Sequence, residues 1–272
     1  MTYQLLATDI DGTLLNDKKE IPVENINAIN HALDIGKTVV ISSGRCVDEC
    51  RHLFRAFPKM QYAICESGAY IYDIQNDQCI YSKQIDTATV ETILNYIRTK
   101  DVMIQAMGHK HMVVSKKDMD QAEHFHIAQY RYHFQDNGSL VEDTFEFCKE
   151  NNWYAEKICL YHTDAAEREI TKKQFESLPV TLAYSEETSL EVSPLGIDKG
   201  NGLRILCEHL GIPLEQTIAV GDSYNDLQIL KNCGLSVAVS NARDEIKEIC
   251  DVIVADNNHA GVKEAIETYL LK

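Results

Sequence analysis

The stretch Leu5-Leu6-Ala7-Thr8-Asp9-Ile10-Asp11-Gly12-Thr13-Leu14 joins an apolar run to two carboxylates within ten residues. The run from Tyr3 to Thr8 is typical of a buried strand. Asp9 and Asp11 follow where that strand should end. In an open α/β sheet, ligands bind beyond the carboxyl ends of the strands. The stretch therefore predicts a ligand site at the end of the first strand.

A β-α-β unit surrounds this stretch. Lys37 to Ser42 predicts a second buried strand, and between the two strands Pro22 opens a segment of helical periodicity that closes at Gly36. The same alternation of strands and helices is predicted in the C-terminal third, with a helix over Lys199 to Leu210 and a strand over Thr217 to Gly221. The two ends of the chain together predict a doubly wound, Rossmann-like parallel sheet.

The middle of the chain has a different pattern. Helical segments such as Met119 to Tyr130 mix with strand-like runs such as Lys157 to Tyr161. The mixture predicts an inserted α+β domain over residues 85–186, with the α/β core formed by residues 1–84 and 187–272. A chain of 272 residues is long enough for such a core and a smaller partner domain.

The charge and cysteine content exclude several classes of protein. The net charge of -16 repels nucleic-acid backbones, so we expect no nucleic-acid partner. The same field repels phosphorylated metabolites, so a phosphate site would need a local cation or a bound metal. No stretch predicts a signal peptide or a membrane span. Nine cysteines without a C-x-x-C pair fit a disulfide framework poorly, and we expect a cytoplasmic location.

The residues after the predicted strands carry a coherent chemistry. A carboxylate at Asp9 can attack phosphorus to form an aspartyl-phosphate, while Asp11 protonates the leaving oxygen and later deprotonates water. Asp222 ends another predicted strand and can converge with Asp9 on one ion. Carboxylates without His or Cys suit a hard cation such as Mg²⁺, which offsets the repulsion between nucleophile and phosphoryl oxygens.

Two further segments supply groups that hold a phosphate. Ser42-Ser43-Gly44-Arg45 offers hydroxyls and backbone N–H groups at a helix N-terminus, and Lys199 offers a positive charge at the start of its helix. Taken alone, the serine segment is more typical of a turn, and Lys199 is more typical of a solvated surface group. The chemistry is indicated by their combination, because each lies at a strand end or helix start of one predicted sheet.

These segments, in this order, resemble the motifs of the haloacid dehalogenase superfamily, and the insertion resembles the cap of its Cof-type branch (subfamily IIB, type C2 cap). The resemblance rests on Asp9 to Leu14 and on Gly221-Asp222-Ser223-Tyr224-Asn225-Asp226, with Ser43-Gly44-Arg45 and Asp198-Lys199-Gly200 in support. It implies a magnesium-dependent phosphomonoester hydrolase that acts on small phosphorylated metabolites such as sugar phosphates. The cap is expected to close over the site and read the substrate.

The resemblance also implies roles for single residues. Asp9 is expected to be the nucleophile and a magnesium ligand, Asp11 the acid/base and a ligand through its backbone carbonyl, and Asp222 the remaining protein ligand. Asp226 is expected to support the metal shell or Lys199. The residues expected to bind the phosphoryl group are Ser43, Gly44, Arg45, Lys199 and Asn225. Ser43 and Lys199 are also expected to be catalytic.

Two other functions fit the same motifs. A phosphomutase would pass the phosphoryl group from the aspartyl-phosphate to a second hydroxyl, and a sensor would bind a phosphorylated metabolite without turnover. A sensor has no need of an acid at Asp11. A cysteine phosphatase is excluded, because no cysteine is followed by five residues and Arg.

Two features stand apart from these motifs. Ser67, in Glu66-Ser67-Gly68-Ala69, occupies a position where the family commonly has Asn. The middle segment also contains a group of histidines whose spacing fits surface or substrate-facing side chains better than a metal site: His109, His111, His124, His126 and His133. No pattern indicates an oligomeric state.

Overall fold

The structure is a computed structural model, and it describes residues 2–128, 131, 134 and 138–272. The chain divides into two compact units. The first comprises Met1–Gly44, Arg51–Tyr81 and Asp198–Lys272, and the second comprises Arg45–Cys50 and Ser82–Ile197.

The described residues contain fourteen strands: β1 Leu5–Thr8, β2 Thr38–Ser42, β3 Tyr62–Cys65, β4 Tyr70–Asp73, β5 Gln78–Ser82, β6 Val102–Gly108, β7 His111–Ser115, β8 Ser139–Val141, β9 Lys157–His162, β10 Val180–Ala183, β11 Ser189–Pro194, β12 Thr217–Gly221, β13 Leu235–Val239 and β14 Val252–Val254. Their α-helices are α1 Val23–Asp34, α2 Val47–Phe54, α3 Thr87–Ile97, α4 Lys116–Asp120, α5 Thr144–Glu150, α6 Ala165–Phe175, α7 Lys199–Leu210, α8 Leu227–Asn232, α9 Asp244–Lys247 and α10 Gly261–Ala265. None of these helices is both long and apolar enough to cross a membrane.

The first unit is built on an eight-stranded sheet in the order β14-β13-β12-β1-β2-β3-β4-β5. The strand β1 is buried along its whole length and pairs in parallel with β2 and β12, so that Ala7 lies beside Val40 and Ala219. The strand order reverses between β1 and β12, and such a reversal opens a crevice at the carboxyl ends of the strands. The fold therefore provides a site where the sequence predicts one.

The helices of the first unit pack in two separate groups, α1 with α10 and α7 with α8. The predicted α/β class with a parallel core sheet is confirmed by the pairing of β14, β13, β12, β1, β2 and β3. One edge departs from the parallel pattern, because β4 pairs antiparallel with β3.

The second unit has a six-stranded sheet in the order β10-β11-β9-β6-β7-β8, with every pair antiparallel except β7 and β8. The helices α3, α5 and α6 contribute Leu94, Phe145 and Phe175 to an apolar core with this sheet. A second apolar cluster contains four methionines, which are Met103, Met107, Met112 and Met119. This unit has the mixed α+β composition expected of the insertion.

The structure differs from the sequence expectation at two places in the second unit. The strand β11 pairs with β9 and β10, although residues from 187 onward were assigned to the α/β core. Strand partners depend on contacts far apart in sequence, which periodicity does not report. The domain boundaries expected between residues 84 and 85 and between 186 and 187 thus differ from those of the compact units, which lie between 81 and 82 and between 197 and 198.

The second difference is the helix expected from Met119 to Tyr130, which is wrong over residues 121–126. The Ser115 side chain accepts a hydrogen bond from the Asp118 backbone N–H at 3.0 Å and so starts α4 earlier. The chain then turns, and His126 has a positive φ of 57°. Residues 129 and 130, together with His133 of the histidine group, lie outside the described residues.

Candidate active site

Two aspartates follow the strands that flank the reversal of strand order. Asp9 comes directly after β1, and Asp222 comes directly after β12. Their strands are parallel neighbours, and the Asp9 N–H extends the pairing by donating to the Val220 carbonyl at 3.0 Å. Both residues therefore leave the sheet at the same edge.

Lys199 lies between two carboxylates. It is the first residue of α7, whose N-cap Asp198 accepts a hydrogen bond from the Asn201 N–H at 2.8 Å. The Lys199 Nζ donates to Asp9 Oδ1 at 2.5 Å and to Asp226 Oδ1 at 2.6 Å. The Lys199 side chain is fully buried, and those of Asp9 and Asp226 are 8% and 1% exposed. The three form a buried carboxylate–ammonium–carboxylate group.

Asp226 is fixed by its own backbone surroundings. It ends the short 3₁₀ segment Tyr224–Asp226, and its Oδ2 accepts hydrogen bonds from the backbone N–H groups of Asp222 at 3.0 Å and Ser223 at 3.2 Å. A Cβ at Gly221 would lie 2.6 Å from the Asp226 carboxyl carbon. The Gly-Asp-Ser-Tyr-Asn-Asp segment thus needs glycine so that its last aspartate can approach Lys199.

The site gathers three carboxylates whose charges repel. Asp9, Asp222 and Asp226 each offer an oxygen within 4.8 Å of the others. Burial, followed by repulsion from Asp226, raises the pKa of Asp222 to about 7. Burial also raises the pKa of Asp9 well above its usual range, although the Lys199 ammonium opposes the rise. Burial alone would lower the pKa of Lys199, but Asp226 and Asp9 outweigh it and raise that pKa.

This donor set fits a hard divalent cation. Its ligands are all oxygens, it lacks His and Cys, and a cation among the carboxylates would relieve the repulsion that raises the pKa of Asp222. The described residues thus contain an acidic cluster that could hold a metal, and two of the three predicted ligands, Asp9 and Asp222, belong to it. It includes the carboxylate of Asp226, which the sequence treats as a supporting residue.

Asp11 lies at a more open position than Asp9. Its Oδ1 accepts a hydrogen bond from Lys19 Nζ at 3.2 Å, and the two side chains are 31% and 30% exposed. The adjacent Gly12 lies against Asp222, since a Cβ at Gly12 would lie 2.7 Å from Asp222 Oδ2. Asp11 therefore lies beside the carboxylate cluster and is paired with a lysine.

Two polar residues of the site were given no role from sequence. Thr13 Oγ1 donates to Asp222 Oδ1 at 2.7 Å, and Asn241 Nδ2 donates to the Gly12 carbonyl at 2.8 Å. Thr13 lies within the stretch from Leu5 to Leu14. Asn241 lies two residues beyond β13, at the same edge of the sheet, and this position is the signal that would have found it.

Ser43 is held at the end of β2. Its backbone N–H donates to the Ile64 carbonyl at 2.8 Å, and its carbonyl accepts from the Ser67 N–H at 2.9 Å. Ser67 and Gly68 have positive φ of 55° and 97°, and a Cβ at Gly68 would lie 2.3 Å from the Asp198 carbonyl oxygen. The loop that contains the unusual Ser67 is thus tied both to Ser43 and to the start of α7.

The remaining expected residues have different surroundings. Gly44 follows Ser43 in the first unit, whereas Arg45 falls in the segment Arg45–Cys50 of the second unit. There burial raises the pKa of Glu49, and the Arg45 charge opposes that rise. Asn225 is half-buried, and no group of the described residues donates a hydrogen bond to its Oδ1. Its amide therefore has capacity to bind a ligand.

The family follows from this geometry and from comparison with known proteins. The family model described as haloacid dehalogenase-like hydrolase matches residues 6–266. The chain belongs to this family. The family resemblance seen in the sequence and the expectation of an enzyme of the hydrolase class are thereby confirmed.

Similar proteins cover nearly the whole chain. A 5-amino-6-(5-phospho-D-ribitylamino)uracil phosphatase of Bacillus subtilis, YcsE, is 30% identical over 98% of this chain and 96% of its own length. A solved haloacid dehalogenase-like hydrolase from B. subtilis superposes with a TM-score of 0.87 at 27% identity, over 97% of this chain and 99% of that chain. The HAD subclass IIB sugar phosphatase BT4131 shares the fold, with a TM-score of 0.83 at 22% identity over 98% of both chains.

Replacing Gly12 with Ala is expected to lower the phosphatase rate by about 10- to 100-fold, because a misplacement of about 1 Å at a site has effects of that order. The new Cβ would lie 2.7 Å from Asp222 Oδ2, at a residue whose φ is +80°. Gly36→Ala is the matched control, since Gly36 has a φ of +84° and no atom within 4 Å of an added Cβ. We expect both variants to lose thermal stability, measured by melting, but only Gly12→Ala to lose rate. Equal rates in both variants would contradict the steric argument.

Proposed function

We propose that the chain is a magnesium-dependent phosphomonoester hydrolase that acts on small phosphorylated metabolites through an aspartyl-phosphate on Asp9. The observation that carries this proposal is the buried contact of Lys199 with Asp9 and Asp226, beside the carboxylate of Asp222. Membership of a hydrolase family whose relatives are named phosphatases supports the same reaction class.

The proposed nucleophile is Asp9. Lys199 holds its Oδ1, which orients the carboxylate and leaves Oδ2 for attack on phosphorus. In the first step a bond forms between an Asp9 oxygen and phosphorus while the bond to the leaving oxygen breaks. In the second step a bond forms between the water oxygen and phosphorus, the bond between phosphorus and the Asp9 oxygen breaks, and phosphate leaves. The proposed acid/base, Asp11, gives its proton to the leaving oxygen and then takes one from that water.

The proposed phosphate-binding residues are Ser43, Gly44, Lys199 and Asn225, with Arg45 a further expectation from sequence. Lys199 brings the one buried ammonium in the described part of this site, and the role of Asn225 rests on its place in the Gly221 to Asp226 motif. Asp9 and Asp222 would hold Mg²⁺ with the Asp11 carbonyl, and Asp226 would support Lys199. The bound ion would supply charge neutralisation between phosphate and carboxylates.

The substrate class follows from the relatives in outline. The B. subtilis phosphatase is named for a phosphorylated ribityl compound, which is a sugar-alcohol phosphate attached to a pyrimidine. We infer that this chain also takes a phosphate on a sugar-like alcohol of a small metabolite. It stays a prediction that residues of the second unit recognise the rest of the substrate.

Phosphate release is expected to require Mg²⁺ and to fall by about a hundredfold after chelation, since a metal ion contributes several kcal/mol to such a reaction. The measurement is phosphate release from sugar phosphates, a phosphorylated cofactor, the phosphorylated ribitylaminouracil and a chromogenic phosphate ester, with EDTA and with Mg²⁺ restored. Equal rates with and without the ion would contradict the magnesium proposal.

The same panel separates the other functions. A phosphomutase would isomerise a sugar phosphate without releasing phosphate. A sensor would bind these compounds, and its turnover would not exceed that of an Asp11→Ala variant. Release by the parent well above that variant selects the hydrolase.

A further inference from the structure

Lys19 faces the proposed acid/base from a turn of unusual backbone geometry. Its φ is 62°, a conformation that favours glycine or asparagine, yet the residue here is a lysine. Its Nζ donates to Asp11 Oδ1 at 3.2 Å. The neighbouring Lys18 is exposed. The backbone conformation thus directs one of two adjacent lysines to the site.

The turn that carries Lys19 is held by Asn16. The Asn16 side-chain oxygen accepts hydrogen bonds from the backbone N–H groups of Lys18 at 2.9 Å and Glu20 at 3.0 Å. The Asn16 backbone closes the same turn through bonds to Lys19 and Glu20, each 2.9 Å. Four hydrogen bonds therefore hold Lys19 in its left-handed conformation.

The turn is also fastened to the C-terminal part of the first unit. Asn257 Nδ2 donates to Asp17 Oδ1 at 3.0 Å, and Asn258 Nδ2 donates to Asp17 Oδ2 at 3.0 Å. The Asp17 backbone N–H donates to Asn258 Oδ1 at 3.1 Å. Such bonds restrict the motion of the turn, so the backbone position from which the Lys19 side chain extends is fixed.

We propose that Lys19 is a positioning residue that holds the Asp11 carboxyl group at the mouth of the site, where it can give a proton to the leaving oxygen. This inference rests on the proposed function. A half-exposed aspartate has several accessible rotamers, and the contact with Lys19 restricts them. In the step concerned, the P–O bond to the leaving group breaks and the Asp11 proton goes to that oxygen. Lys19 itself exchanges no proton and need not touch the substrate.

The role predicts a dependence on the leaving group. An alkoxide needs a proton as the P–O bond breaks, whereas nitrophenolate leaves without one. Lys19→Met is therefore expected to lower kcat/KM about tenfold for alkyl phosphates and less than about twofold for p-nitrophenyl phosphate. Lys19→Arg is expected to recover part of the loss, and Lys18→Met, the matched control, to behave as the parent.

A double variant separates positioning from a general structural role. If Lys19 acts through Asp11, then Lys19→Met causes no further loss in an Asp11→Ala background. Two alkyl phosphates of different shape should lose activity by the same factor, because unequal factors would mean that Lys19 contacts the substrate. Equal losses for alkyl and aryl phosphates, or a further loss in the Asp11→Ala background, would overturn the inference. Parent turnover and its loss in Asp9→Asn test the proposed function separately, whatever these variants do.

Discussion

An Asp9→Asn variant is expected to release phosphate at least about 10⁴-fold more slowly than the parent, because an amide cannot replace the nucleophile of a covalent mechanism. The substitution is nearly isosteric. It also removes a carboxylate that Asp226 and Asp222 repel, and it leaves Lys199 paired with Asp226. The fold should therefore persist, and the measurement is phosphate release beside a thermal melt.

Asp34→Asn provides the matched control for this change. Asp34 forms an exposed ion pair with Lys59 at 2.8 Å, with side chains 56% and 66% exposed. Such pairs contribute little, so we expect parental rate and stability. A rate for Asp9→Asn within tenfold of the parent, in a sample whose mass shows no reversion of the amide to acid, would contradict the assignment of Asp9 as nucleophile.

Lys199→Met is expected to lower the rate of phosphate release by about 10³-fold and the free energy of unfolding by about 3–5 kcal/mol. The rate falls because the ammonium that orients Asp9 and offsets phosphate charge is lost. The stability falls because the carboxylates of Asp9 and Asp226, which are 8% and 1% exposed, remain buried without their cation. Denaturant unfolding and phosphate release measure the two effects.

Adding Asp226→Asn to the Lys199→Met variant separates the two effects. The added change removes one of the two buried carboxylate charges that have lost their cation, so it should restore part of the stability without restoring the rate. Lys59→Met, the same chemical change in an exposed ion pair, should alter the unfolding free energy by less than about 1 kcal/mol. If Lys199→Met were as stable as Lys59→Met, the buried carboxylate–ammonium–carboxylate group would not stabilise the fold as its geometry indicates.

Much of the first unit could be predicted from sequence because its signals are local. The helix α7 and the strand β12 begin and end where the sequence predicts them. Apolar runs of strand length, separated by helical periods with caps, are typical of an α/β sheet, and few alternatives satisfy them. The second unit is less predictable, since β6 and β11 both pair with β9, which is distant from them in sequence.

The family, the α/β class and the motifs that contain Asp9, Asp222 and Lys199 could all be predicted from the sequence, because they depend on residue type and short spacing. Which charges meet is known only from the packed chain: Lys199 with Asp9 and Asp226, and Lys19 with Asp11. Asp9 and Lys199 are 190 residues apart along the chain. Burial raises the pKa of Asp9, whereas the charges of Asp226 and Asp9 raise the pKa of Lys199 against the effect of burial. Both shifts and the contact itself depend on the packing of the chain, which no local pattern contains.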